Sequence, residues 1–200
     1  MARVPPLDPA DVPELAEVFA VKERSLGFVP NSALTMARWP ELARAYGQLT
    51  AAIASAHRLP AGLANLVFLV ASNAAGCMYC VAHSASKALG RLGTEPGKVE
   101  AVWEFETSPL FDDGERAALR LAAAAGVTPA AVTDEHFARL RRHFDDDAIV
   151  EIVGVIAFSG FMNRWNATMG TELEAGPRRD AERHLGASGW HVGPHGGGRP

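Results

Sequence analysis

The run Leu63-Ala-Asn-Leu-Val-Phe-Leu-Val-Ala-Ser-Asn-Ala-Ala75 leads straight into Gly76-Cys-Met-Tyr-Cys-Val-Ala-His-Ser84, and how this junction is read decides the fold. The first run is long for a strand, rich in alanine and leucine, and shows no alternation of apolar and polar residues, so it is read as a helix. Gly76 is suited to end it and let the chain bend into a second helix. Both cysteines of the protein fall at that bend, spaced C-x-x-C. At a helix start, residues three apart face the same way, so Cys77 and Cys80 can close a short disulfide or share a proton. The positive end of the helix favours a thiolate.

His83 is three residues after Cys80 and would lie beside it on the helix, where an imidazole exchanges protons near neutral pH. Ser84 occupies the other adjacent position. Two further readings stay open: the cysteines as small buried hydrophobes, and zinc held by C-x-x-C-x-x-H, although no second ligand pair with metal spacing appears elsewhere. A thioredoxin-like arrangement is disfavoured, since it needs a strand leading into the motif helix.

From Leu59 to Ala82 the chain carries no charge, a length that raises the question of a bilayer span. Pro60, Gly62, Asn65, Ser72 and Asn73 argue instead for burial inside a helical protein or at a subunit contact. Outward from this centre the chain reads as helix after helix. Asp8-Pro9 opens one that carries Val12, Leu15, Val18 and Phe19 and ends near Gly27; Asn31 or Ser32 caps a short one that stops at Trp39-Pro40; another runs from Pro40 to Ala56. The cysteine helix extends to Leu92, and Val99 to Phe105 forms a short apolar helix. Asp112 or Asp113 caps a helix through Ala125, and Thr133 opens the next, over Phe137 to Phe144. Asp145-Asp146-Asp147 is read as the acidic N-terminus of a last long helix, Ala148 to Met169, and not as a metal site.

No strand pattern of useful length and no phosphate-binding glycine loop is present, so the expectation is an all-α protein of about eight to ten helices. Its divisions are N-terminal helices (1–58), a helical hairpin carrying the cysteines (59–92), C-terminal helices (93–175) and an extended or mobile Gly/Pro-rich tail (176–200). Trp190 is expected to anchor that tail on the body, and His191 and His195 are weak metal candidates. Two hundred residues, 48% of them hydrophobic, suffice for a core without disulfide staples. A net charge of -4 leaves no basic footprint for nucleic acid or a membrane surface. Scarce cysteine and an N-terminus without an apolar leader point to the cytoplasm.

The cysteine motif after a long apolar helix resembles the carboxymuconolactone decarboxylase and AhpD-like alkylhydroperoxidase superfamily, in particular its peroxidase-related branch. Gly27-Phe28-Val29-Pro30-Asn31, Asp146 to Val153 and Phe161-Met162-Asn163-Arg164 are similar to further segments of that branch. The resemblance implies a thiol-dependent antioxidant peroxidase, without cofactor or metal. Cys80 would attack a small hydroperoxide, Cys77 would resolve the product to a disulfide, and a thiol or dithiol reductant would restore the pair. It also implies a homo-oligomer: dimer, trimer or hexamer. The family's relay glutamate position, twelve residues before the first cysteine, is held here by Asn65, and its relay histidine position by Ser84, with His83 one residue earlier. Asn65 cannot shuttle protons. Slow turnover is therefore expected, with His83, a water or another segment such as His57 as proton donor. The alternatives are a non-redox helical protein that retains the motif, and a lyase on a small carboxylate, for which the sequence shows no convergent arginine cluster.

Overall fold

The structure, a computed structural model, describes residues 2–197. It contains ten α-helices and, among the described residues, no strand. Helix α4 (Ala61–Ala74) lies at the centre and packs against α5 (Met78–Gly90), α7 (Asp113–Gly126) and α9 (Asp146–Met169). Leu63, Leu66, Val67, Leu69, Val70 and Ala71 of α4 are all buried. Contact on several sides explains the missing charge: there is no solvated face on which to place one. Gly126 lets α7 approach closely, since a Cβ there would fall 2.6 Å from the Ala71 carbonyl oxygen.

The turn between α4 and α5 is a Schellman motif. Gly76 takes φ 72° in the left-handed region, its N–H donates to the Asn73 carbonyl, and the Cys77 N–H donates to the Ser72 carbonyl. Cys77 is at once the last residue of this C-cap and the N-cap of α5.

Capping chemistry sets the other starts. Asp112 and Glu115 form a capping box on α7, and Thr133 caps α8 (Asp134–Leu140). Asp145 accepts from the Ala148 N–H at the start of α9, while Arg58 pairs with Asp145 and Asp147 and Arg141 with Asp146, so each of the three aspartates has a structural partner. Several expectations are corrected. The first helix is broken into 3-10 turns, Pro9–Asp11 and Pro13–Leu15, before α1 (Ala16–Leu26), because Pro13 cannot continue a helix. Neither Asn31 nor Ser32 caps α2 (Asn31–Met36); Pro30 is the N-cap, and the free Asn31 N–H is taken by a distant carboxylate, that of Glu174. After α3 (Pro40–Ala54), α4 and α5, the apolar stretch around Val99 divides into α6 (Pro96–Glu100) and a 3-10 turn, Ala101–Glu104.

The C-terminal region departs most from expectation. Residues placed in the mobile tail form α10 (Ala175–Leu185), which packs on α5 and α6 with Ala181 and Leu185 fully buried. Asp180 accepts from the Ser86 hydroxyl at 2.6 Å and His184 meets Glu100 at 2.8 Å. Composition alone does not support a core here. An existing helical surface does, because two or three apolar residues suffice to dock a helix on it. The Gly-rich tail proper begins at Gly186 with short 3-10 turns. Trp190 anchors it as expected, donating from its indole N–H to the Met78 carbonyl, and His195 is buried against the Thr171 carbonyl. Residues 198–200 of the expected tail lie outside the described residues.

Leu185→Ala should lower the unfolding free energy by about 2–5 kcal/mol in urea denaturation, the range for deleting a well-packed leucine. A loosely attached tail would lose less than about 0.5 kcal/mol.

Candidate active site

Cys77 and Cys80 are both reduced and both buried, with 0% and 3% of their surfaces exposed. Their environments push them apart. The Cys80 thiol donates toward Cys77, and the backbone N–H groups of Cys80 and Tyr79 point at the same sulfur; together they outweigh burial and lower the Cys77 pKa. Burial, and the neighbouring Cys77, push Cys80 well up, opposed by an N–H of the Asn166 amide 3.4 Å from its sulfur. The first negative charge of the pair therefore settles on Cys77 at the helix terminus, while Cys80 keeps its proton.

His83 turns to a partner that the sequence does not signal. Its Nε2 lies 2.6 Å from Glu174 Oε2, and among the described residues it makes no hydrogen bond to Cys80. The same carboxylate accepts from the Tyr79 hydroxyl at 3.0 Å and from the Asn31 N–H at 2.6 Å. Burial raises the Glu174 pKa, but the hydrogen bond and charge of His83 and the Asn31 amide lower it further, and the net direction is down. Tyr79 stacks on the His83 ring with centroids 4.4 Å apart, and Phe28 tilts against it from the α1–α2 turn. Tyr79, its pKa raised chiefly by burial and also by the Glu174 charge, remains a hydrogen-bond donor.

Asn65 and Ser84 meet each other. The Asn65 amide donates to the Ser84 carbonyl at 2.9 Å, and the Ser84 hydroxyl to the Asn65 carbonyl at 3.1 Å, a reciprocal clasp between α4 and α5. His57 is not brought to the cysteines; it lies at the surface beside Glu151, its side chain 81% exposed. Among the described residues no three of His, Cys, Asp and Glu converge in a metal-binding arrangement.

Helix α9 adds what the motif lacks. Asn163 and Asn166 are buried on one face of it; neither polar atom of the Asn163 side chain, nor Asn166 Oδ1, finds a partner among the described residues, and Ser72 Oγ and Trp165 Nε1 are in the same position. Buried polar atoms are normally paired, so these side chains hold unused hydrogen-bonding capacity, at Asn166 directly beside the Cys80 sulfur. Two amides three residues apart in an otherwise apolar helix are a signal that was available in the sequence. Glu174 left none: it bears no spacing relation to the motif and reaches it only because α9 and α10 fold back.

Thiolate absorbance titration should show two separated steps, one below and one well above the ordinary cysteine value. Cys80→Ala should raise the Cys77 value by removing its thiol donor, whereas Cys77→Ala should leave a single thiol ionising above the ordinary range.

The Carboxymuconolactone decarboxylase family profile matches residues 40–124, which include the central hairpin. The uncharacterized protein YnjA of Escherichia coli strain K12 is 40% identical over 93 residues, 46% of this chain and 50% of YnjA, so the match spans about half the length of that relative. A crystallised variant of the debrominase Bmp8 in complex with 2,3,4-tribromopyrrole is 41% identical, with a TM-score of 0.86 over 90% of this chain and 96% of its own. The AhpD core of an uncharacterized peroxidase-related protein from Ralstonia eutropha JMP134 is 25% identical, with a TM-score of 0.77 over 88% and 94% of the two chains. Fold and sequence agree: this chain belongs to the carboxymuconolactone decarboxylase and AhpD-like alkylhydroperoxidase superfamily.

Proposed function

We propose that the protein is a thiol-dependent peroxidase in which Cys77 and Cys80 reduce a small hydroperoxide. The observation that carries this reading is the buried pair of free cysteines at the start of α5, Cys77 with its pKa lowered by the Cys80 thiol and the helix amides and Cys80 with its pKa raised by burial. Cys77, the more readily ionised of the two, is as its thiolate the base at hand for Cys80. As the Cys80 sulfur attacks the O–O bond, its proton passes by way of Cys77 to the departing alkoxide; Cys80 becomes a sulfenic acid and an alcohol leaves. The regenerated Cys77 thiolate then attacks the sulfenic sulfur. Hydroxide leaves, takes a proton from His83 and departs as water, and the pair is left as a disulfide. In this scheme His83 and Glu174 take over the relay whose family positions Asn65 and Ser84 occupy. A small thiol or dithiol returns the disulfide to the starting state. A reducing cytoplasmic setting suits the resting dithiol.

A second reading rests on the 41% identity to the debrominase. The same dithiol would act on a carbon–bromine bond: Cys80 takes the bromine, the carbon keeps the electron pair and gains a proton from His83, and Cys77 displaces bromide to form the disulfide. Association of subunits is proposed on different grounds. Val150, Val153 and Phe161 on the outer face of α9 are exposed, as is Leu49 on α3, forming an apolar face suited to a symmetric contact.

Mass spectrometry of the reduced protein, after brief exposure to one equivalent of an alkyl hydroperoxide or of a bromopyrrole, discriminates these readings. A rapid loss of two hydrogens is expected with the hydroperoxide, and a sulfenic acid should be trapped at Cys80 only in Cys77→Ser. Oxidation by the bromopyrrole alone would favour the second reading. Thiols that ignore both would mean a non-redox role for the motif.

Glu174→Gln should slow disulfide formation by about 100-fold, the scale of a lost general acid–base partner. An unchanged rate would remove His83 and Glu174 from the relay.

A further inference from the structure

A cavity of about 140 Å³ opens beside His83, between α1, α5 and α10. Its polar lining includes His83, Lys87, Arg91 and Asp180, with Leu26 and Phe28 as an apolar wall. Lys87 follows Cys80 by seven residues and His83 by four, and Arg91 comes four residues later, so these side chains form one stripe along α5 that starts at the reacting sulfur. A third cation stands behind the wall. Lys22, one turn before Leu26 on α1, is 4% exposed; its Nζ donates to Thr50 Oγ1 at 3.0 Å and lies 4.2 Å over the Tyr46 ring.

Among the described residues none of these three cations forms an ion pair. Asp180, the one carboxylate in the lining, is engaged by the Ser86 hydroxyl. Burial first, and then the charge of Lys87, pull Lys22 down to about 8. Burial also lowers Lys87. Lys87 and Arg91 stand exposed at the mouth with Lys22 buried behind them, and against these three cations the lining sets the single carboxylate of Asp180, so the cleft keeps a net positive charge that favours an incoming anion. Gly27, with φ 86°, keeps the α1–α2 turn tight against Arg91, whose Nη2 lies 3.2 Å from where a Cβ would stand.

We infer that this cleft binds the carboxylate of an organic substrate, held by Lys87 and Arg91, with Lys22 contributing its field from behind. The cleft is small: at about 30 Å³ per water it has room for a carboxylate and a few carbons, so the rest of the molecule must extend along α5. Seven residues of helix place Lys87 about 10 Å from Cys80. The substrate class is therefore a medium-chain organic acid whose reactive group lies within about 10 Å of the carboxylate. For the identity of that reactive group the inference rests on the peroxidase reading above.

Calorimetric titration of the reduced protein with octanoate, and with octanamide as its neutral counterpart, tests the site without turnover. Octanoate is expected to bind about tenfold or more tighter than octanamide, and the Lys87→Gln/Arg91→Gln double variant should lose that difference. Both side chains are at the surface, so the variant should fold. Lys22→Met, which keeps the buried stem, should weaken octanoate binding to a smaller extent. Equal binding of acid and amide, or an unaltered double variant, would overturn the inference. In turnover, wild-type protein should select a fatty-acid hydroperoxide over a neutral alkyl hydroperoxide, and the double variant should lose the selectivity. If the variant instead impairs only re-reduction of the disulfide by mercaptopropionate, the cleft serves the reductant and the substrate assignment falls. Thiols inert to hydroperoxide would sink the peroxidase reading and leave the calorimetric result standing.

Discussion

The carboxylate of Glu174 is the interaction on which the rest of the site depends. It stands in a largely buried position and satisfies three donors from three parts of the chain: His83 and Tyr79 on α5, and the free N–H at the start of α2. A charged acceptor in such a place is stable only while its donors are present, and hydrogen bonds to charged groups are worth about 1.5–3 kcal/mol each. The same atoms therefore hold the tertiary structure together and orient the imidazole. The α1–α2 turn, the cysteine helix and the α9–α10 connection are all drawn to one point.

Around that point the protein sets a helix terminus against burial. Cys77 is fully enclosed, which by itself would keep it neutral, yet it sits where the α5 amides converge. Cys80, one turn further in, has the enclosure without the amides and is held in its protonated form. Two identical side chains thus acquire different roles, one suited to accept a proton and the other to give it up on attack. The Schellman turn at Gly76 makes this possible, because it ends α4 and starts α5 with no intervening loop.

Helix α9 contributes on both faces. Inward, its amides at Asn163 and Asn166 put unused hydrogen-bonding capacity into the buried core, Asn166 beside the Cys80 sulfur; outward, it leaves valines and a phenylalanine exposed. It is long and apolar enough to cross a membrane by length and composition, and it buries one side against α4, α5 and α7.

Local chemistry carried much of this information. The helical nature of residues 61–74, the stop at Gly76, the caps at Asp112, Thr133 and Asp145 and the pairing of the two cysteines could all be read from short-range patterns, since each depends on neighbours within about one helical turn. The spacing that sets His83 near Cys80 was also visible, but not the direction in which its ring would turn. That was decided by Glu174, ninety-one positions away, and by the folding of α10, whose polar composition concealed a docking face of a few residues. Likewise, Lys22, Lys87 and Arg91 look in sequence like ordinary surface charges, and the packing of α1 against α3 and beside α5 gathers them into one region. The sequence by itself determined the helices and the reactive pair, because those follow from local periodicity and backbone capping. Only the tertiary structure decided the proton partners and the surrounding charge, because those depend on contacts that no local pattern encodes.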